Sequence, residues 1–395
     1  MPPRGSENRR TFPSAARVEP YRTRATTHSL SHHVRRRRGT CPPPVLQGGA
    51  LSAQPLHFEP QLRRLPLVTL YLTERCNSRC VTCDYWRHGR ADMDLAAVKR
   101  LLPSLAELQT RVALLSGGEP LLNAEWPAIA QLLRDNGLRL WLLTSGLSLA
   151  KHARRAAQLF DAITVSLDGT NAATYAAIRG LDAFDKVCEG VRAAASAGAQ
   201  LGVRVTVQRG NYRELPQFIA LARELGATQI SFVAVDVANP HAFGRVDAHP
   251  AQLALQPEDL PVLEQILDRL ERECEADFRS RLIADSPRKL RRMHQYFTAV
   301  CGLAAYPAVR CNVFDYSAVI GATGRVSPCF FIPGPPQALG GTGLAPALNS
   351  DPMVALRERI RSGARPECAR CVCSLWREPE QRATADFLMR RYADA

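Results

Sequence analysis

Three cysteines stand close together in the stretch Thr73-Glu74-Arg75-Cys76-Asn77-Ser78-Arg79-Cys80-Val81-Thr82-Cys83, spaced Cys-x3-Cys-x2-Cys. Thiolates at that spacing in one loop can wrap three corners of a [4Fe–4S] cluster. Three ligands rather than four leave one iron open to chelate a small molecule, as a catalytic zinc keeps an open position. Zinc is the alternative occupant of such a triplet. A second chemical feature is Ser116-Gly117-Gly118-Glu119-Pro120. Its paired glycines permit close backbone approach to a ligand, and Glu119 can accept from an ammonium group. A third lies near the C-terminus, where Cys311 and Cys329 bracket an expected hairpin with Gly321 and Gly324 in its turn. Cys368-x2-Cys371 follows, with Cys373 two residues on. A hairpin pair and a Cys-x2-Cys pair supply four thiolates from separate segments, enough to close a site for a cluster or for zinc. Cys373 could replace either member of the second pair. Cys188 and Cys274 fall in helical stretches and read as buried thiols, while Cys41 and Cys301 have no assigned role.

These groups need a frame, and the apolar pattern supplies one. Strand-type runs occur at 67–73, 111–115, 139–143, 162–167, 203–208 and 229–235, with helical stretches at 94–109, 124–136, 148–159, 184–198 and 213–225 between them. Such alternation predicts a parallel sheet with crossover helices. Yet Val203, Val205 and Val207 alternate with Arg204, Thr206 and Gln208, and Val68, Leu70 and Leu72 with Thr69, Tyr71 and Thr73. A parallel sheet covered on both faces would read as continuous apolar runs. One apolar and one polar face instead predict a curved sheet lining a polar cavity. The expectation is an α/β fold, a partial (β/α)6 barrel with its site at the C-terminal strand ends. A small cysteine-rich α+β domain follows. The expected boundaries are a basic low-complexity tail at 1–55, the barrel at 60–245, a helical connector at 246–300 holding two amphipathic helices, and the cysteine-rich domain at 301–395.

The triplet on the loop after the first strand, with Gly-Gly-Glu-Pro one strand later, resembles the radical S-adenosylmethionine (SAM) superfamily. The resemblance implies that SAM occupies the open iron of a [4Fe–4S] cluster on Cys76, Cys80 and Cys83. It implies that Ser116, Gly117, Gly118, Glu119 and Pro120 hold the methionine amino group. Thr144, Ser145 and Gly146, then Ser166 and Asp168, would contact SAM, and Arg204 its carboxylate. Tyr175 to Gly180 resembles the family's helix ending in Arg-Gly. Thr82 stands where the family has an aromatic or large apolar residue, so Tyr85 or Trp86 would serve the adenine. The pattern Cys311-x12-Gly324-x4-Cys329 followed by Cys-x2-Cys resembles the shortened SPASM, or twitch, domain. That implies an auxiliary [4Fe–4S] cluster on Cys311, Cys329, Cys368 and Cys371, relaying one electron in a substrate oxidation. The implied activity is a radical SAM oxidoreductase served by a flavodoxin- or ferredoxin-type donor. A small-molecule substrate of cofactor or natural-product biosynthesis is expected, with Asp236, His241, Arg245 and Tyr316 as contacts. A peptide-modifying (RiPP maturase) enzyme and a non-catalytic metal-binding protein are the alternatives.

Charge and cysteine usage bound the remaining classes. Of the net +14, residues 1–50 contribute +8, from ten Arg against Glu7 and Glu19. The excess therefore sits in a tail with no hydrophobic period, and no nucleic-acid partner is expected. Apolar runs all fall short of the roughly 20 residues a membrane span needs. Arg9-Arg10 lacks a following apolar segment, so a cytoplasmic protein is expected. Twelve cysteines in such a chain point to metal sites rather than a disulfide framework.

Overall fold

The computed structural model describes residues 61–241, 243, 245, 253–336, 339 and 343–377. The expected basic tail lies outside the described residues. Six strands follow the sequence pattern: β1 (Leu67–Thr73), β2 (Val112–Gly117), β3 (Arg139–Thr144), β4 (Ala162–Ser166), β5 (Leu201–Val207) and β6 (Gln229–Ala234). Each is parallel to the next. Helices α1 (Leu95–Glu107), α2 (Trp126–Asp135), α3 (Leu149–Leu159), α4 (Ala172–Arg179), α5 (Phe184–Ser196) and α6 (Leu215–Glu224) form the connections. Asp94 and Asn171 cap α1 and α4 by accepting from the amides of Ala97 and Thr174.

Between strands and helices lies one continuous apolar core. Leu70, Leu72, Leu115, Val165, Val203 and Val205 are buried in it from the sheet, and Ile129, Leu133, Val187 and Phe218 from the helices. Removing each such side chain from water contributes about 1.5–3 kcal/mol. The alternate strand residues face the other way. Tyr71 lies opposite Ser116, Ser166 opposite Arg204, and Arg204 opposite Ser231, so a polar row lines the concave side.

The sheet does not end at β1. The expected hairpin forms as β7 (Ser317–Ile320) and β8 (Val326–Ser327), turning where Gly321 and Gly324 donate to Arg325 and Gly321 carbonyls. Strand β7 runs parallel to β1, so the order is β6-β5-β4-β3-β2-β1-β7-β8 in one open eight-stranded sheet. The hairpin thus extends the barrel sheet from its first strand. Among its described residues the connector holds three α-helices where two were expected: α7 (Leu260–Glu273), α8 (Glu275–Ser280) and α9 (Pro287–Val300). Ile283, between α8 and α9, bridges to Ile230 and covers the open edge of β6. The short helices α10 (Leu344–Leu348), α11 (Asp351–Arg361) and α12 (Pro366–Ala369) complete the described chain. Among the described residues no helix is long and apolar enough to cross a membrane.

Candidate active site

The cysteine triplet occupies the loop leaving β1, and three neighbours hold that loop in shape. From α4, the carbonyls of Arg179 and Ile178 accept from the amides of Arg79 and Val81 at 3.0 and 2.9 Å. Gly180 ends α4 with φ +75°, and a Cβ there would lie 2.3 Å from the Arg79 carbonyl oxygen. From the Gly-Gly-Glu-Pro loop, the amides of Gly118 and Glu119 donate to Thr73 and Arg75 carbonyls at 2.9 and 2.8 Å. A Cβ on Gly118 would sit 2.1 Å from the Arg75 carbonyl oxygen. The close approach that these glycines permit is therefore to the cysteine loop itself. Arg75 completes the clamp by donating to the Leu122 carbonyl at 2.7 Å and pairing with Asp92.

Glu119 is fully buried. Its Oε1 accepts from Thr144 Oγ1 at 2.8 Å and from Leu121 N, and its Oε2 from Ser145 N at 2.7 Å. The carboxylate ties the end of β3 to the end of β2, and Ser145 Oγ in turn reaches Asn77 of the cysteine loop at 3.2 Å. Asp168 is also bonded within the protein. One oxygen pairs with Arg179 at 3.0 Å and the other accepts from Thr206 N at 2.7 Å, in a nearly buried ion pair. Its carboxylate thus holds the Arg179 guanidinium, whose charge lowers all three thiols. Arg204 donates through Nε to Ser231 Oγ at 3.3 Å on the concave face.

The thiols are tuned by burial. Desolvation pushes Cys76 up to about 11 and Cys83 up to about 12, and raises Cys80, while the Arg179 charge pulls all three down. Half-buried thiols beside a fixed cation fit a metal cluster, whose positive iron replaces the missing solvation of the thiolates. The Arg179 Nε and Ser78 Oγ atoms beside them are buried without partners. Among the described residues no three His, Cys, Asp or Glu converge tightly enough to grip a single metal ion. A four-iron cube spreads its ligands more widely than one ion does.

Five further thiols gather on the other side of β1. Cys311 precedes β7, Cys329 follows β8, Cys368 lies in α12, and Cys371 and Cys373 follow it. Each is raised first by burial, and the charge of Cys311 adds to that of Cys329, Cys368, Cys371 and Cys373. The Cys373 carbonyl accepts from Cys371 Sγ at 3.2 Å. Cys188 is buried in α5, as expected. Tyr71 stands between the two sets. Its ring meets Tyr85 edge-on at 5.6 Å and lies 6.4 Å from Phe330, and Cys83 and Cys329 both add to its raised pKa. Periodicity could place Tyr71 on the inner face, but not between two loops 240 residues apart.

The remaining expected contacts divide. Asp236 and Arg245 meet near the end of β6, whereas His241 is exposed. Tyr316 packs with Val112, Trp141 and Ala162 at the N-terminal ends of the strands. It lies at the opposite end of the barrel and is not a substrate contact, because the hairpin enters the sheet parallel to β1.

Residues 70–222 match the family model for the radical SAM superfamily. This chain carries a radical SAM domain. It is 29% identical over 177 residues to Fe-coproporphyrin III synthase of Methanosarcina barkeri, covering 42% of this chain and 43% of that protein. It is 32% identical over 170 residues to pre-heme d1 synthase of Dinoroseobacter shibae, covering 41% of each. The chain thus spans less than half the length of these relatives. The fold resembles that of SuiB from Streptococcus suis, with a TM-score of 0.55 at 13% identity over 85% of this chain and 77% of that one. Radical SAM proteins are enzymes that use a [4Fe–4S] cluster and SAM, and the half-buried triplet with its Arg179 charge fits that cluster.

Proposed function

We propose that this chain oxidises a hydroxyl- or amine-bearing small molecule by radical SAM chemistry. Cys76, Cys80 and Cys83 would hold the catalytic cluster, and Cys311, Cys329, Cys368 and Cys371 an auxiliary [4Fe–4S] cluster. Bound there, a [4Fe–4S] cluster would supply the one electron for reductive cleavage of SAM, the source of the radical that abstracts hydrogen from substrate. The chain's part is to position and to exclude water. The Arg75 clamp and the Arg179–Asp168 pair fix the loop. The polar row Ser116, Ser166 and Arg204, with the loop of Ser145, forms the wall where SAM would lie. A flavodoxin- or ferredoxin-type protein in the cytoplasm would provide the electron.

The observation that carries the oxidative reading is Tyr71, in ring contact with the residue after Cys329 and with the residue two past Cys83. A substrate at that position would lie beside both thiol sets, so its radical could lose an electron to the second. The names of the two curated relatives, both tetrapyrrole synthases, favour a small molecule. A peptide substrate is the second reading, favoured by the fold likeness to SuiB, which has been crystallised with its precursor peptide. The test is anaerobic incubation of reconstituted protein with dithionite and SAM. Wild type should form 5′-deoxyadenosine, and Cys76/Cys80/Cys83→Ala should form none. A wild type that binds SAM but leaves it intact would point to a non-catalytic iron–sulfur protein.

A further inference from the structure

Asp236 lies two residues past β6 and is 1% exposed. Its Oδ1 accepts from the amides of Ala238 and Asn239, both at 3.0 Å, and so folds the loop. Its Oδ2 is buried with no hydrogen-bond partner. Nearly all buried carboxylate oxygens in proteins are matched, so one left open calls for an explanation. Arg245 faces the same loop. Its Nη1 donates to the Asn239 carbonyl at 2.7 Å and its Nη2 to the Asp236 carbonyl, rather than to the carboxylate. Its Nε is likewise buried and unmatched, and its guanidinium lies 5.7 Å over the Phe243 ring. One acceptor and one donor, both fixed by backbone hydrogen bonds and both out of water, are thus left open on one loop. Burial raises the Asp236 carboxyl and lowers the Arg245 guanidinium, as expected for groups awaiting a partner.

The surroundings select what that partner is. The Phe243 carbonyl accepts from the Asp84 amide at 2.9 Å, next to Cys83, while Asn239 Nδ2 donates to the Phe331 carbonyl at 3.0 Å, two residues past Cys329. The site therefore lies between the two sets. The open donor belongs to a guanidinium, whose N–H is matched best by a carboxylate oxygen. We infer that Asp236 Oδ2 and Arg245 Nε recognise the substrate as a hydroxy acid, its hydroxyl donating to Asp236 and a carboxylate oxygen accepting from Arg245. This rests on the reading that substrate lies between the cysteine sets.

The rival is a structural water bridging the two open atoms. Thermal unfolding of the anaerobic, cluster-loaded chain separates them. Asp236→Asn keeps the Oδ1 acceptor and removes an uncompensated buried charge, so its Tm should match wild type or rise by about 2 °C. A fall of that size would show a structural link and overturn the inference. Glycolate, the simplest hydroxy acid, should raise the Tm of wild type and not that of the variant; equal shifts, or none, would overturn it. SAM affinity by equilibrium dialysis should be the same in both proteins, and its loss in Asp236→Asn would assign the carboxylate to SAM instead. A wild type that forms no 5′-deoxyadenosine would sink the proposed function, yet these shifts would remain readable.

Discussion

At the scale of single residues, the structure shows which protein donors the strand-end carboxylates hold. Glu119 and Asp168 stand at the strand ends where the motif puts them, but their oxygens hold protein groups. Spacing reveals that a carboxylate is present; it does not reveal which donors reach it first, since those come from β3, α4 and β5. Cysteines are more legible because a three-thiol spacing in one loop has few other uses. The Asp168–Arg179 pair gives a direct test. Breaking a buried pair from one side leaves an uncompensated charge, so Asp168→Asn should cost about 3–5 kcal/mol. Thermal unfolding should show the loss, with lower iron retention by the triplet as Arg179 shifts. A variant as stable as wild type with full iron would mean that the pair supports neither the fold nor the cysteine loop.

At the scale of elements, the six βα units follow the apolar pattern to within a few residues, because each strand and helix writes its own period locally. The hairpin was also legible, from Gly321 and Gly324 between two cysteines. Its pairing was not. Strand β7 is four residues long and joins β1 some 250 positions earlier, and no local pattern encodes a partner so distant. The loop between β2 and α2 gives the prediction at this scale. Its glycines serve the contact with Thr73 and Arg75, so Gly118→Ala must push the triplet loop aside. Reconstituted Gly118→Ala should lose about half of its iron while the C-terminal thiols keep theirs. Unchanged iron with weakened SAM binding would return Gly118 to the role of ligand contact.

At the scale of the whole molecule, the sheet brings together two thiol sets that are far apart in sequence. Strand β1 delivers the triplet at its C-terminal end, and β7 beside it delivers Cys311 and Cys329 at the hairpin's ends. Helix α12 and the segment after it add Cys368, Cys371 and Cys373, and the Tyr71 ring touches Tyr85 and Phe330, one neighbour of each set. The proposed oxidation would use that arrangement, with SAM at the first set and an electron acceptor at the second. The most direct test is to count iron and sulfide after anaerobic reconstitution, in wild type, in Cys76/Cys80/Cys83→Ala and in Cys311/Cys329/Cys368/Cys371→Ala. The account predicts about eight irons in wild type and about four in each variant, since each set holds its own four-iron cluster. About four irons in wild type, unchanged in the C-terminal variant, would contradict it and leave a single cluster with no electron acceptor beside the substrate.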